Sequence, residues 1–246
     1  MTTSGNLKYK KQEAIKMAKL RLDAGRIRNP RVHKVGVLAL GSHLENHGPA
    51  LPIDTDSKIA SYIALTASLN SGCRFLGVVF PAHELPTIDH GIHNELKDVA
   101  YEITRTLRSA KLYLNIDSCV IVNGHGGNLP LYQCLELMEE KSEVLIQINN
   151  SIVENEGPHA SSGELSMGKV LGILDESKVD IQADTNIYGE VGLSMFKQAR
   201  KDDVGIEIGA KDVEENGVYV DDVYGQQLIN LAVNSVLFDI EKLSDF

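Results

Sequence analysis

The sequence predicts an α/β fold with a largely parallel central sheet covered by helices, built as one domain over residues 1–246. Three observations carry that reading. Short β-rich runs alternate with amphipathic stretches, the pattern of parallel strands joined by crossover helices. Four of the runs are apolar almost throughout, as strands are when both faces of their sheet are covered. A polar cluster follows each of the four, and open α/β sheets hold ligands outside the carboxyl ends of their strands. The length of 246 residues suits one large domain of this kind.

In chain order the predicted strands are KVGVLAL (34–40), RFLGVVF (74–80), SCVIVNG (118–124) and EVLIQIN (143–149). Between the first two, Ile59, Tyr62, Ile63 and Ala67 recur at helical spacing, with Asp54 or Thr55 in position to cap and Gly72 marking the stop. Residues 94–113 and 129–141 predict the next crossover helices, and 223–243 a long amphipathic helix that closes the chain. Residues 176–222 are polar and broken by glycine, which leaves a small hairpin, a lid or an oligomer contact open there.

The composition removes several function classes. A formal charge of −10, without a Lys/Arg block or aromatic-basic interleaving, argues against nucleic acid as a partner. Cys73, Cys119 and Cys134 form no Cys-x-x-Cys pair, so they read as core residues in a reducing compartment rather than as disulfides or zinc thiolates. The first 25 residues lack a signal-type apolar core, and no apolar run approaches the roughly 20 residues of a bilayer span. A cytoplasmic protein with no membrane partner is the expectation, and a homo-oligomer is the default assembly.

The chemistry concentrates in the post-strand clusters. Glu45 and His47 are two apart and share a face if extended, and a loop through Gly48, Pro49 and Pro52 could fold Asp56 back beside them. Imidazole with carboxylate suits zinc, iron(II) or manganese, and one carboxylate can bridge two ions. The same residues read equally well as a polar turn whose carboxylates cap the following helix. In NGHGGN, His125 stands at a strand exit and Asn128 can cap the next helix. That loop reads either as an anion cradle or as a turn presenting His125 to a metal, and it lacks the Lys-Ser/Thr of a nucleotide-binding phosphate loop. His159 and Glu164, five apart, are the usual stock for proton transfer near neutral pH, or else a surface loop and a glutamate favouring a helix dipole.

The stretches SHLENHGPALPIDTD, NGHGGN and HASSGE, in order between residues 42 and 164, resemble the creatininase (creatinine amidohydrolase) family of metal-dependent amide hydrolases. The first is the most specific, with Glu45, His47 two on, then Gly48-Pro49, Leu51-Pro52 and Asp56. The resemblance implies a three-layer α/β/α sandwich, two divalent ions and hydrolysis of a non-peptide or unusual C–N amide bond. Carried over, Glu45, Asp56 and His125 would hold one ion, and His47 with the bridging Asp56 the other. Creatininase proper has a further metal-binding glutamate two residues after the histidine of its NGH motif. Here that place is Gly127, and Glu164 is the candidate replacement. His159 would protonate the departing amine, with Glu164 orienting it or binding metal.

Within the family, LGSHLENHGPALPIDTDSKIAS and AHELPTIDHGIHNE are similar to an archaeal branch that removes formate from a formylaminopyrimidine ribonucleotide, on the route from GTP to riboflavin and the deazaflavin coenzyme. That branch implies Fe2+ as the first metal and Fe2+ or Zn2+ as the second, with Mn2+ as a further option. For the substrate phosphate, the candidate donors are Gly126, Gly127 and Asn128, together with His90 and His93 in the 83–94 loop. Two rivals stand beside this reading: another amidase of the family, acting on creatinine or a small peptide amide, and a non-catalytic metal- or nucleotide-binding module. Four or five ligands for two ions leave open coordination positions, which favours catalysis over a closed structural site.

Overall fold

Four short strands, β1 (Val35–Leu40), β2 (Arg74–Val79), β3 (Ser118–Asn123) and β4 (Leu145–Asn149), pair in parallel in the order β2-β1-β3-β4. The computed structural model describes residues 29–182 and 184–246; the amino-terminal stretch screened above for a signal core lies outside the described residues. Among the described residues no helix is long and apolar enough to cross a membrane.

Alternation along the strands sorts the core into two layers. Val35, Val37 and Ala39 of β1, with Val120 and Val122 of β3, face α1 (Thr55–Ser71) and the C-terminal helix α8 (Asp222–Ser244). Leu38, Leu40, Cys119 and Ile121 face the opposite way, onto α2 (Leu96–Leu114) and α3 (Leu135–Ser142). The result is the α/β/α arrangement the sequence implied. Coverage on both faces holds for β1 and β3, which are buried throughout. It fails at the edges: Phe75 and Val78 of β2 and Leu145 of β4 remain exposed, because an edge strand has neighbours on one side only.

The helices follow their apolar spacing with two revisions. In α1 the residues Ile59, Ile63 and Ala67 are buried and Gly72 ends the helix at φ 87°, but Tyr62 points outward. Asp54 is the N-cap residue without a side-chain capping bond, and instead pairs with Lys58. The helix expected over 129–141 begins as a 3-10 turn, Gly126–Cys134, that continues into α3. Pro130 within it has no N–H to give to a longer hydrogen-bond ladder.

Residues 176–222 contain no strand among those described, so the hairpin reading is set aside. The segment holds the short α5 (Val179–Gln182), α6 (Lys197–Asp202) and α7 (Val204–Asn216), plus two 3-10 turns. Its helices bury little, Ala210 and Val213 in the case of α7, so no strong apolar period marks them in sequence. Polar ties hold the segment down: the Gln182 amide receives Ala50 N–H and donates to Ala160 O, and Arg200 clamps Glu207 and Glu214.

The exit of β1 is packed against the first turn of α1. Ser57 Oγ lies 2.9 Å from both Gly41 O and Ser42 O, and a Cβ at Gly41 would fall 2.6 Å from the Asp56 carbonyl carbon. Only glycine allows the strand end and the helix start to meet there. Gly41→Ala should therefore cost about 1–3 kcal/mol of stability, read by urea or thermal unfolding, and should displace Asp56. An unchanged unfolding midpoint would contradict this packing.

Candidate metal centre

The strand order reverses direction between β1 and β3, since β2 lies on one side of β1 and β3 on the other. Crevices outside such a switch point are where parallel sheets bind ligands. Glu45 and His47 lie on the loop that leads from β1 into α1, whose first turn carries Asp56, and His125 lies two residues past the end of β3. From the β4 side come His159 and Glu164, the latter in the first turn of α4 (Ser162–Leu171) with its carboxylate accepting Ala160 N–H at 3.1 Å. The loop after β2 is stitched on by Asn46 N–H to His90 O and Ile92 N–H to Leu44 O. Glu45, His47, Asp56, His125 and Glu164 are each at most 3% exposed.

Asp56 lies at the middle. Its Oδ1 is 2.8 Å from His47 Nε2 and its Oδ2 is 3.0 Å from His125 Nδ1. Glu45 Oε2 is 2.8 Å from the same His125 Nδ1, and Glu164 Oε2 is 3.6 Å from His47 Nε2. Both imidazoles are held from behind by backbone carbonyls, His47 Nδ1 by Glu45 O at 3.0 Å and His125 Nε2 by His83 O at 2.9 Å. A neutral imidazole that donates backward presents a bare lone pair forward. Here those lone pairs meet carboxylate oxygens, and Glu45 Oε2 is buried without a hydrogen-bond partner. Either protons or cations must occupy the gaps. The donor set, imidazole with carboxylate, fits divalent iron, zinc or manganese. Groups of three with ligand atoms within 4.8 Å of one another are His47/Asp56/Glu164, Glu45/His93/His125, Glu45/His47/His159 and Glu45/Glu84/His90.

Without a cation, protons carry the balance. Burial pushes the His47 and His125 imidazoles down, but Asp56 and Glu164 around the first and Glu45 and Asp56 around the second raise both well above the usual histidine value. Burial likewise acts to raise Glu45, yet His125 and His159 hold it well below the usual carboxylate range. Burial, partly offset by His47, pushes Glu164 up to about 8. Burial and the neighbouring Glu164 and Asp56 carboxylates raise Glu156 well above its ordinary value. His159 is different: burial takes it down to about 4, so it is neutral at pH 7. Its Nε2 donates to Asn46 O at 2.9 Å, and Nδ1 faces Glu45 Oε1 at 3.4 Å.

A cavity of about 320 Å³ opens over this cluster. Leu85, Ile88 and Leu129 supply apolar wall, and Leu193, Asp203 and Ile206 from residues 176–222 close the far side. Its lining includes Glu45, Asp56, Glu84, Glu156, Glu164 and Asp203, with no Lys or Arg among the described residues.

The family model for creatininase (creatinine amidohydrolase) matches residues 26–236, and a protein of Methanobrevibacter ruminantium is 62% identical over 229 residues, 93% of this chain and 98% of its own length. The chain belongs to the creatininase family. That Methanobrevibacter relative is named 2-amino-5-formylamino-6-ribosylaminopyrimidin-4(3H)-one 5'-monophosphate deformylase. A Methanothermus fervidus protein of the same name is 49% identical over 236 residues, covering 96% of this chain and 95% of its own. Among solved structures, a putative creatinine amidohydrolase from Bacteroides fragilis superposes with a TM-score of 0.60 at 16% identity, covering 87% of this chain and 91% of its own. A creatininase described as the Mn form gives 0.56 at 11% identity, covering 87% and 93%. These structural likenesses carry the fold.

Against the family pattern, Gly127 is explained by space. A Cβ there would fall 2.4 Å from His83 O, 2.6 Å from His125 Nε2 and 2.7 Å from Glu84 Oε1, so no side chain fits. Glu84 and Glu156 are cavity carboxylates that sequence reasoning did not single out, although both lie in its polar post-strand clusters. Gly126 and Gly127 line the cavity, whereas Asn128 is buried behind it. The Asn128 side chain binds His83 N–H and Asn123 Oδ1 instead of capping a helix. His93 stacks parallel on His125 at 5.4 Å, with Nε2 3.2 Å from Ser42 Oγ. His90 Nε2 faces Glu45 and Glu84, a setting of negative charge.

Because ligands must shed their protons, a divalent ion binding here displaces protons from His47, His125 and Glu164. In a weakly buffered titration at pH 7, Mn2+ or Zn2+ should release protons, and apparent affinity should climb as pH rises from 6 through the Glu164 value of about 8. Affinity independent of pH over that range would count against these ligands.

Proposed function

We propose that the chain hydrolyses the formamide of 2-amino-5-formylamino-6-ribosylaminopyrimidin-4(3H)-one 5'-monophosphate, releasing formate and the 2,5-diaminopyrimidine nucleotide, a step toward riboflavin and the deazaflavin coenzyme. The observation that carries this reading is the 62% identity, across nearly the whole of both chains, to a relative named for that activity. The buried imidazole–carboxylate cluster under a cavity supports it, because formamide hydrolysis needs an activated water and a stabilised oxyanion.

Glu45, Asp56 and His125 would hold one divalent ion, and His47, Asp56 and Glu164 the other, with Asp56 common to both. Fe2+ is the first choice, with Fe2+ or Zn2+ as its companion and Mn2+ as an alternative; solved creatininases described as Mn and Zn-Zn forms support a centre of this type. When bound, such ions supply Lewis acidity and a water whose pKa falls toward roughly 7.

The protein's own part is proton traffic and orientation. His159, neutral and anchored through Nε2 on Asn46 O, presents Nδ1 to the cavity. That nitrogen takes the proton released as water attacks the formyl carbon and delivers it to the pyrimidine 5-amino nitrogen as the C–N bond breaks. Glu164 belongs to the ligand set rather than to the orientation of His159, which Asn46 provides. A phosphate dianion would be repelled by the carboxylate-lined interior, so it projects toward the mouth, with the Gly126 and Gly127 backbone as the nearest predicted donors. The chain works in the cytoplasm as a homo-oligomer in this reading.

The test is anaerobic formate release, after metal loading, from the formylated pyrimidine nucleotide set beside creatinine and small peptide amides. Turnover should be confined to the nucleotide, be lost with chelators and return with iron(II). Glu45→Ala and His125→Ala should each lower it by at least about 10²-fold while the circular dichroism of the fold survives. Creatinine turnover exceeding that of the nucleotide would redirect the assignment within the family.

A further inference from the structure

A ligand set is only as good as what holds it, and metal-bound imidazoles are almost always backed by a second polar group. Glu84, which leaves the end of β2 on the loop toward α2, stands behind the metal centre at two points. Its Oε2 is 3.6 Å from His125 Nε2, on the side of the ring away from Asp56, and 3.4 Å from His90 Nε2. His90 Nε2 is in turn 2.9 Å from Glu45 Oε1. The side chains of Glu84, His90 and Glu45 are 6%, 3% and 2% exposed, so these contacts are not a solvated surface pairing.

His90 Nε2 faces two carboxylates while its Nδ1 is buried with no hydrogen-bond partner, so the N–H that the ring can satisfy is the one on Nε2, directed at Glu45 and Glu84. The Glu84 carboxylate is fixed from its other end, with Oε1 accepting Leu85 N–H at 2.6 Å. Its place is kept clear by the missing side chain at residue 127, whose Cβ would approach that oxygen to 2.7 Å.

We infer that Glu84 is a positioning residue of the metal centre, an outer carboxylate that orients Glu45 through His90 and places negative charge beside His125 Nε2, whose N–H is held by His83 O. The inference rests on the metal-centre reading above and adds a residue from the β2 loop to a site otherwise built from the loops after β1, β3 and β4. In this role Glu84 acts on an ion through the Glu45 carboxylate and through the charge it sets beside the His125 ring, and so influences how tightly that ion is held.

The experiment compares wild type, Glu84→Gln, Glu84→Asp and His90→Gln by anaerobic metal titration and by the electronic spectrum of the Co2+-substituted proteins. Glu84→Gln should keep two equivalents of metal while losing about 10–100-fold in affinity, with shifted Co2+ ligand-field bands. Glu84→Asp should recover part of the loss, and His90→Gln, whose amide still donates toward Glu45, should lose less than Glu84→Gln. Affinity and spectrum unchanged in Glu84→Gln would overturn the inference. So would three equivalents in wild type falling to two in Glu84→Gln, which would make Glu84 a ligand itself. A wild-type protein that binds no divalent ion at all removes the metal-centre reading instead, and is recognised by the absence of any Co2+ spectrum.

Discussion

Asp56 is the constraint on which the rest of the site depends. Its two carboxylate oxygens face two different imidazole nitrogens, and each imidazole is turned by a backbone carbonyl so that it cannot present an N–H forward while neutral. Such a constellation is costly in a buried place unless positive charge fills it. The structure spends considerable architecture on keeping it. The first turn of α1 is pressed onto the end of β1, the NGH turn leaves β3 next door, and α4 brings Glu164 in from the β4 side.

The same charge logic organises what surrounds the cluster. Histidines nearest the carboxylates are pushed toward the protonated form, while His159, at the cavity side of the cluster with its side chain 12% exposed, is pushed the other way by desolvation. Two imidazoles 4.6 Å apart, those of His47 and His159, are thus shifted in opposite directions. That separation of pKa values distinguishes a group suited to ligation from one suited to carrying a proton.

Much of this was legible in the sequence, and the limits have physical reasons. Buried central strands announce themselves because both faces must be apolar, which is why β1 and β3 are read correctly while the exposed residues of β2 and β4 are not. Glu45, His47, Asp56 and His125 stood out because ligand-type residues crowd just beyond strand ends, and the structure brings them together around one carboxylate. Glu84 left no comparable trace: a lone glutamate in a polar loop resembles any solvated residue until the β2 loop is seen folded against the loop that follows β1. Residues 176–222 were unreadable because their helices bury too few side chains to impose a period, and their order comes from single polar contacts such as those of Gln182. The role of Asn128 was misread because its amide is used across loops, on His83 and Asn123, a tie that no local spacing encodes.

The uneven lining of the cavity bears on turnover. Formamide cleavage converts an uncharged group into formate, and the cavity in which that anion forms is lined by acidic side chains, Glu84 and Asp203 among them, with no arginine or lysine among the described lining residues to detain it. Electrostatic repulsion of that kind does little to an uncharged formyl group entering and much to an anion leaving. The walls thereby bias the site toward emptying after each cycle, and discourage the reverse condensation of formate with the amine.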